Sequence, residues 1–215
     1  MMKRTMRKWF HFDGSDAKTA EAWLNRLGAE GWRLGRLSTW TACFWQTGER
    51  VRCAVTTRRR GDEAFRALCR DAGWELAGSR PQMEVYVSRP GQSPAPLETD
   101  AALESRGYLR SFLWRTLCGV LAAAVYLYAI LTGTWVWPEG CLMWGERVAT
   151  AMWATVLLNL LWDVRYLLRI RRTGAVEPRP MAAVWLWWWA RLGVAALALA
   201  WLVLWLGAWL GWPGG

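Results

Sequence analysis

Histidine occurs once in this chain of 215 residues, at position 11. A Ser/His/Asp set would have to use that single imidazole, and nothing around it completes one. The five cysteines, Cys43, Cys53, Cys69, Cys118 and Cys141, include no C-x-x-C pair, so neither a zinc nor a redox motif is signalled. Acidic residues are few, 17 against 27 basic, and they are scattered rather than paired. No phosphate-binding glycine loop is present either. These absences argue against an enzyme, and no cofactor or metal is expected.

Tryptophan, by contrast, is abundant. Six of the 20 lie before position 110 and 14 after it. Net charge is +6 over residues 1–110 and +4 over the more apolar remainder. Indole favours membrane interfaces, because its ring is apolar and its N–H wants a polar partner. The first half therefore reads as a soluble basic domain and the second as membrane. The N-terminal MMKRTMRKWFHFDGSD is basic but lacks the apolar core of about 7–15 residues that a signal peptide needs. The first domain is expected to stay in the cytoplasm, with its thiols reduced.

A phrase recurs at an offset of 42: EAWLNRLGAEGWRL at 21–34 and EAFRALCRDAGWEL at 63–76. Ala20, Trp23, Leu24 and Leu27 form a helical stripe, and so do Ala64, Phe65, Leu68 and Ala72. Ser15 or Asp16 suits the first N-cap, and Asp62 the second. Gly31 and Gly73 supply a left-handed C-terminal residue. Trp32 and Leu34, like Trp74 and Leu76, then begin a strand and anchor it on the helix.

Further strands are expected at Arg7–Phe12, at 39–46 and 50–58 as a hairpin turning at Thr47-Gly48-Glu49, and at 83–88. If that hairpin closes through three residues, Cys43 and Cys53 face each other. The order β-α-β-β-α-β, with an extra strand after each Gly-Trp, predicts an α+β ferredoxin-like domain over residues 1–89: tandem βαβ units on one antiparallel sheet. Its uncovered face would carry Trp9, His11, and Trp40 or Trp45. Residues 90–108 read as a Pro/Gly/Ser linker and juxtamembrane helix, capped by Thr99 or Asp100 with Glu104 behind.

Residues 109–215 read as a three-helix transmembrane bundle with spans at about 111–131, 148–168 and 184–211. The 132–147 loop carries −1 and the 169–183 loop +3. By the positive-inside rule the N-terminus is cytoplasmic and the C-terminus outside, as in a multi-pass protein of the bacterial inner membrane. Asn159, Asp163, Arg191 and Arg115 form a candidate intramembrane polar cluster. Gly119, Ala123, Ala196 and Ala200 offer small surfaces for helix packing.

The KWFHF stretch, the A-E-x-W-L-N-x-L-x-x-x-G-W-x-L phrase and its D-A-G-W-E-L copy resemble the bacterial family called domain of unknown function 2812. The resemblance covers residues ~5–90 by motif and the rest by architecture. It implies a cytoplasmic domain followed by membrane helices, often encoded near PadR-like transcription regulators. It assigns no catalytic residues.

Nucleic-acid binding is not expected, because the aromatic RNP1 pattern is absent and RVRCAVTTR, the strand in its place, has no aromatic. The sequence points to a membrane-anchored interaction or sensing module, regulatory and non-enzymatic. Its expected partners are lipid, a protein or a second copy. The second reading is a small-solute or lipid transporter component using Asn159, Asp163 and Arg191.

Overall fold

The computed structural model describes residues 4–57, 62–97, 101–132 and 142–209, with side chains except along parts of the three long helices. Two compact units result, one of Met1–Trp114 with Tyr166–Met181, the other of Arg115–Arg165 with Ala182–Gly215.

The first unit holds a duplication. Its elements run β1 (Thr5–Trp9), α1 (Ala17–Ala29), β2 (Trp32–Leu37) and β3 (Thr41–Gln46), then β4 (Cys53–Thr56), α2 (Glu63–Asp71), β5 (Trp74–Arg80) and β6 (Met83–Ser88). These make two three-stranded sheets, ordered β1-β3-β2 (sheet A) and β4-β6-β5 (sheet B). Both are antiparallel. The repeat is thus β-α-β-β, twice. In sheet A, Leu34 pairs with Phe44 and Arg36 with Cys43; in sheet B, Leu76 pairs with Tyr86 and Gly78 with Val85. Each partner is displaced by the same 42 positions, and the β-bulge falls at the same place in both copies.

Local chemistry explains the elements. Gly31 and Gly73 adopt φ of 81° and 87°, so each helix ends on a left-handed glycine before its Gly-Trp strand. The Asp62 carboxylate accepts from the Phe65 N–H at 3.0 Å, a cap worth about 1 kcal/mol. At α1 the capping carboxylate is Asp13, which accepts from Ser15 N–H at 2.9 Å and starts a 3-10 turn over Gly14–Asp16. Asp16 makes no cap bond there.

The expected single ferredoxin-like sheet does not form. β3 pairs with β1 and β2, not with β4, so the 39–58 hairpin is absent. Gly48 does turn the chain, at φ 76°, but toward the second copy. Cys43 therefore sits across from Arg7 and Arg36, Cys53 sits across from Val87, and both are free thiols. Thr99 and Asp100 lie outside the described residues. The expected linker is fastened down: Trp74 Nε1 donates to Ala95 O at 2.9 Å, Arg52 to Ser93 Oγ at 2.8 Å, and Leu97 packs on the core of Ala54, Phe65, Cys69, Trp74 and Tyr86.

The copies interlock. Asn25 of α1 donates to Cys53 O at 3.0 Å and accepts from Cys53 N at 2.8 Å, and Glu21 accepts from Val55 N at 3.2 Å. These amide and carboxylate groups occupy one edge of β4 as a neighbouring strand would. Arg33 of β2 bonds Glu75 of β5, the same position of the repeat. On the other side of α1, Trp23 packs 5.5–6.1 Å from the rings of Phe10, Phe12 and Phe44. Phe10 and Phe12 are fully buried, each worth about 1.5–3 kcal/mol.

Three long helices follow: α3 (Ala101–Leu131), α4 (Leu142–Thr173) and α5 (Met181–Trp209). Within the second unit α3 approaches α4 closely, since a methyl at Gly119 would meet Leu160 Cδ2 at 3.0 Å. Many large side chains of this unit are exposed, among them Leu121, Tyr128, Leu161, Trp189 and Leu199. Among the described residues, however, no helix is long and apolar enough to cross a membrane. Asp163, Arg165 and Arg169 interrupt the apolar run of α4, and Arg191 that of α5. This overturns the transmembrane bundle, its three spans, the inner-membrane placement and the N-inside orientation. An intramembrane role for Asn159, Asp163, Arg191 and Arg115 falls with them.

Gly28 tests the interlock. A methyl there would lie 2.0 Å from the backbone oxygen of Val51. Gly28→Ala should lower stability by about 1–3 kcal/mol in denaturant unfolding, despite alanine's better helix propensity. Unchanged or raised stability would show that α1 and the segment entering β4 are not packed this tightly.

Candidate functional site

Strand alternation sorts the side chains of sheet A. Leu34, Ala42 and Phe44 face α1 and are buried. The opposite face carries Thr5, Trp45 and Arg33 in one row, Arg7, Cys43 and Arg36 in the next, and Trp9 with Thr41 at the end. Arg7, Trp9 and Arg36 are exposed. Arg7 donates to Thr41 Oγ1 at 3.2 Å. Trp40 is 54 % exposed and lies against Trp9, 49 % exposed, with ring centroids 6.2 Å apart and planes tilted by 35°. Phe10 N–H donates to Trp40 O at 2.9 Å and holds the two backbones together.

Of the expected surface residues, Trp9 and Trp40 stand exposed. Trp45 is half-buried, its ring lying over Gly35, where an added methyl would meet it at 1.9 Å, and under the Arg33 guanidinium at 6.0 Å. His11 is not on this face: it is buried, past the end of β1, and stacks on Phe12 at 4.6 Å. Burial, then the nearby Arg80 guanidinium, lowers its pKa. The repeat anchors also divide. Leu34 is core in the first copy and Trp74 in the second, whereas Leu76 is 41 % exposed and Trp32 half-buried.

Sheet B has no such face. Met83, Val85 and Val87, the counterparts of Thr41, Cys43 and Trp45, are all buried, as is Cys53. Burial and Glu21 push the Cys53 thiol up to about 12 against the opposing pull of Arg33, so it stays protonated. Where the first copy buries Leu24, Leu27, Ala42 and Phe44, the second places Arg66, Cys69, Glu84 and Tyr86. Arg66 and the Tyr86 hydroxyl both bond the Glu84 carboxylate, the latter at 2.7 Å. Burial and then Glu84 raise the Tyr86 pKa.

A third cluster joins the first copy to the 174–180 segment. Arg179 and Asp16 form an ion pair at 3.1 Å, each side chain 1 % exposed. The guanidinium lies 5.3 Å from the Phe112 ring and 5.6 Å from that of Tyr166, and the two rings stack at 5.7 Å. Arg179 N–H donates to Thr19 Oγ1 at 2.8 Å, and that hydroxyl donates to Arg179 O at 3.2 Å. Tyr166 OH bonds Glu177 O, and Lys18 N–H bonds Tyr108 OH. Gly174 turns the chain off α4 at φ 67°. Sequence reading counted Arg179 only as loop charge; the flanking Pro178 and Pro180 were the signal of a stiffened, seated segment.

Asn159 and Asp163 share one face of α4 and are buried, and Asn159 donates to Thr155 O at 2.8 Å. Arg191 of α5 is exposed, and the Arg115 side chain lies outside the described residues. Among the described residues no group of three or more His, Cys, Asp or Glu is placed to hold a metal ion.

No family model, no curated protein and no solved structure matches the chain.

Two outcomes follow from this geometry. Asp16→Asn or Arg179→Met alone should cost about 3–5 kcal/mol, because each leaves a buried charge unanswered, while the double variant should cost much less than the sum. Additive losses in a double-mutant cycle would deny the pairing. For His11, a pKa held below 6.5 means the folded state binds fewer protons than the unfolded chain. Stability should therefore be full above pH 6.5 and fall as pH drops through the lowered value. In thermal melts from pH 8 to pH 5, His11→Phe should flatten that decline; an unchanged slope would place its origin elsewhere.

Proposed function

We propose that the chain is a non-enzymatic interaction module, regulatory in role, whose open face on sheet A docks a partner protein. The observation that carries this reading is the asymmetry of the duplication. Two copies share one register, yet the first leaves a face with exposed Trp9, Trp40, Arg7 and Arg36 around Thr41, Cys43 and Trp45, while in the second the counterparts of those three, Met83, Val85 and Val87, are buried. Adjacent exposed indoles and guanidinia are the side chains that most often anchor a protein contact. The single imidazole, His11, is buried and lies off this face.

A photoreactive residue at Thr5, on this face, and another at Glu63, exposed on α2, supply the test in cells. The Thr5 probe should give one dominant protein adduct that disappears with the Trp9→Ala/Trp40→Ala pair, and the Glu63 probe should not give it. The same adducts from both positions, indifferent to the tryptophans, would remove the docking face.

A further inference from the structure

We infer that the occupant of the open face is an acidic polypeptide segment carrying an aromatic anchor; this rests on the docking reading above and names its partner's chemistry. The strands of sheet A, TMRKW, WRLGRL and TACFWQ, contain Arg7, Lys8, Arg33 and Arg36 and no carboxylate. Those of sheet B, CAVT, WELAGSR and MEVYVS, contain Glu75 and Glu84 against Arg80. So the sheet that keeps an open face is also the one whose strands are cationic. On that face Arg7 and Arg36 both lie across from Cys43, one on each neighbouring strand, and both are exposed. Arg33 shows what the face accepts: it holds the Glu75 carboxylate of the second copy, and Glu75 is also bound by Arg89 at 3.2 Å. Those two guanidinia override the effect of burial and hold the Glu75 carboxyl below its ordinary range.

Arg7 and Arg36 offer the same planar donors to a carboxylate from outside. Beside them the Trp9–Trp40 pair supplies a flat apolar platform for an aromatic ring. A second copy of the chain is a poor occupant, since the net charge of +10 opposes its approach. Single-stranded nucleic acid fits less well than a peptide. Successive bases need separate ring faces along a track. Here the two exposed indoles lie against each other, and Trp45 is held between Gly35 and Arg33.

Fluorescence anisotropy of the full-length chain with labelled polymers decides the matter. The probes are a random Glu–Tyr copolymer, poly-glutamate and oligothymidylate. The copolymer should bind about tenfold more tightly than poly-glutamate and should weaken steeply with salt. Arg7→Ala/Arg36→Ala should weaken both acidic polymers by about tenfold, while Arg7→Lys/Arg36→Lys should restore much of the binding. Trp9→Ala/Trp40→Ala should remove the copolymer's advantage and leave poly-glutamate unchanged. All these side chains are on the surface, so circular dichroism should report an unaltered fold. Copolymer binding indifferent to the arginine pair would overturn the proposal. So would oligothymidylate binding equally tightly with the same response to the variants. If either occurs while Thr5 still captures its partner, the docking face stands and the acidic occupant alone is lost.

Discussion

Asp16 and Arg179 are 163 residues apart in sequence, and their charges meet where water does not reach. Neither could be buried singly, because an uncompensated ion in such surroundings costs several kcal/mol. The two have to be placed together, and much of the first unit follows from that requirement. Asp16 ends the turn that Asp13 starts and leads directly into α1, so the pair fixes where that helix begins. Thr19, one turn on, clasps the backbone of Arg179 through both of its polar functions. On the far side the guanidinium is bounded by the Phe112 and Tyr166 rings, which brings the start of α3 and the end of α4 into the same knot. Seating α1 in turn seats Trp23 among Phe10, Phe12 and Phe44, behind sheet A. The open face is therefore backed by a chain of packed groups that leads to the ion pair.

The duplication shows how one pattern supports two chemistries. Register, bulge and left-handed glycine are common to both copies, because they are backbone properties that the repeated phrase carries along. What differs is the lining. The first copy fills its helix-facing slots with Leu24, Leu27, Ala42 and Phe44 and leaves its other face open. The second sets an ion pair and a phenol into the corresponding slots and closes its other face with aliphatic side chains. Such a polar network is tolerated in low dielectric because its members satisfy one another.

Much of this was legible locally. The helices, the strand after each Gly-Trp and the Asp62 cap are short-range consequences of spacing and of glycine. Strand pairing was not, since TWTACFWQ and RVRCAVTTR make an equally good hairpin on paper and only the competing claims of β1 and β6 decide against it. Exposure of Trp9 followed from alternation, which left the choice between Trp40 and Trp45 open; Trp40 stands exposed because it precedes β3, and Trp45 is half-buried. The burial of His11 did not, because β1 ends at Trp9 and the alternation stops with it. Apolar length suggested membrane spans, a reading the described helices do not support. The Asp16–Arg179 pair is a contact between remote segments, and nothing in either neighbourhood names the other.

Asn25 and Glu21 have an effect beyond joining the copies. An uncapped strand edge is a template on which any extended chain can add itself. By filling donor and acceptor sites along β4 with side-chain groups, α1 acts as a chain terminator for sheet B. Growth of that sheet into a fibre would first have to strip a helix from it. The molecule's protection from self-polymerisation at β4 is thus written in a helix of the other copy, so that a fragment holding the second copy alone would have lost it.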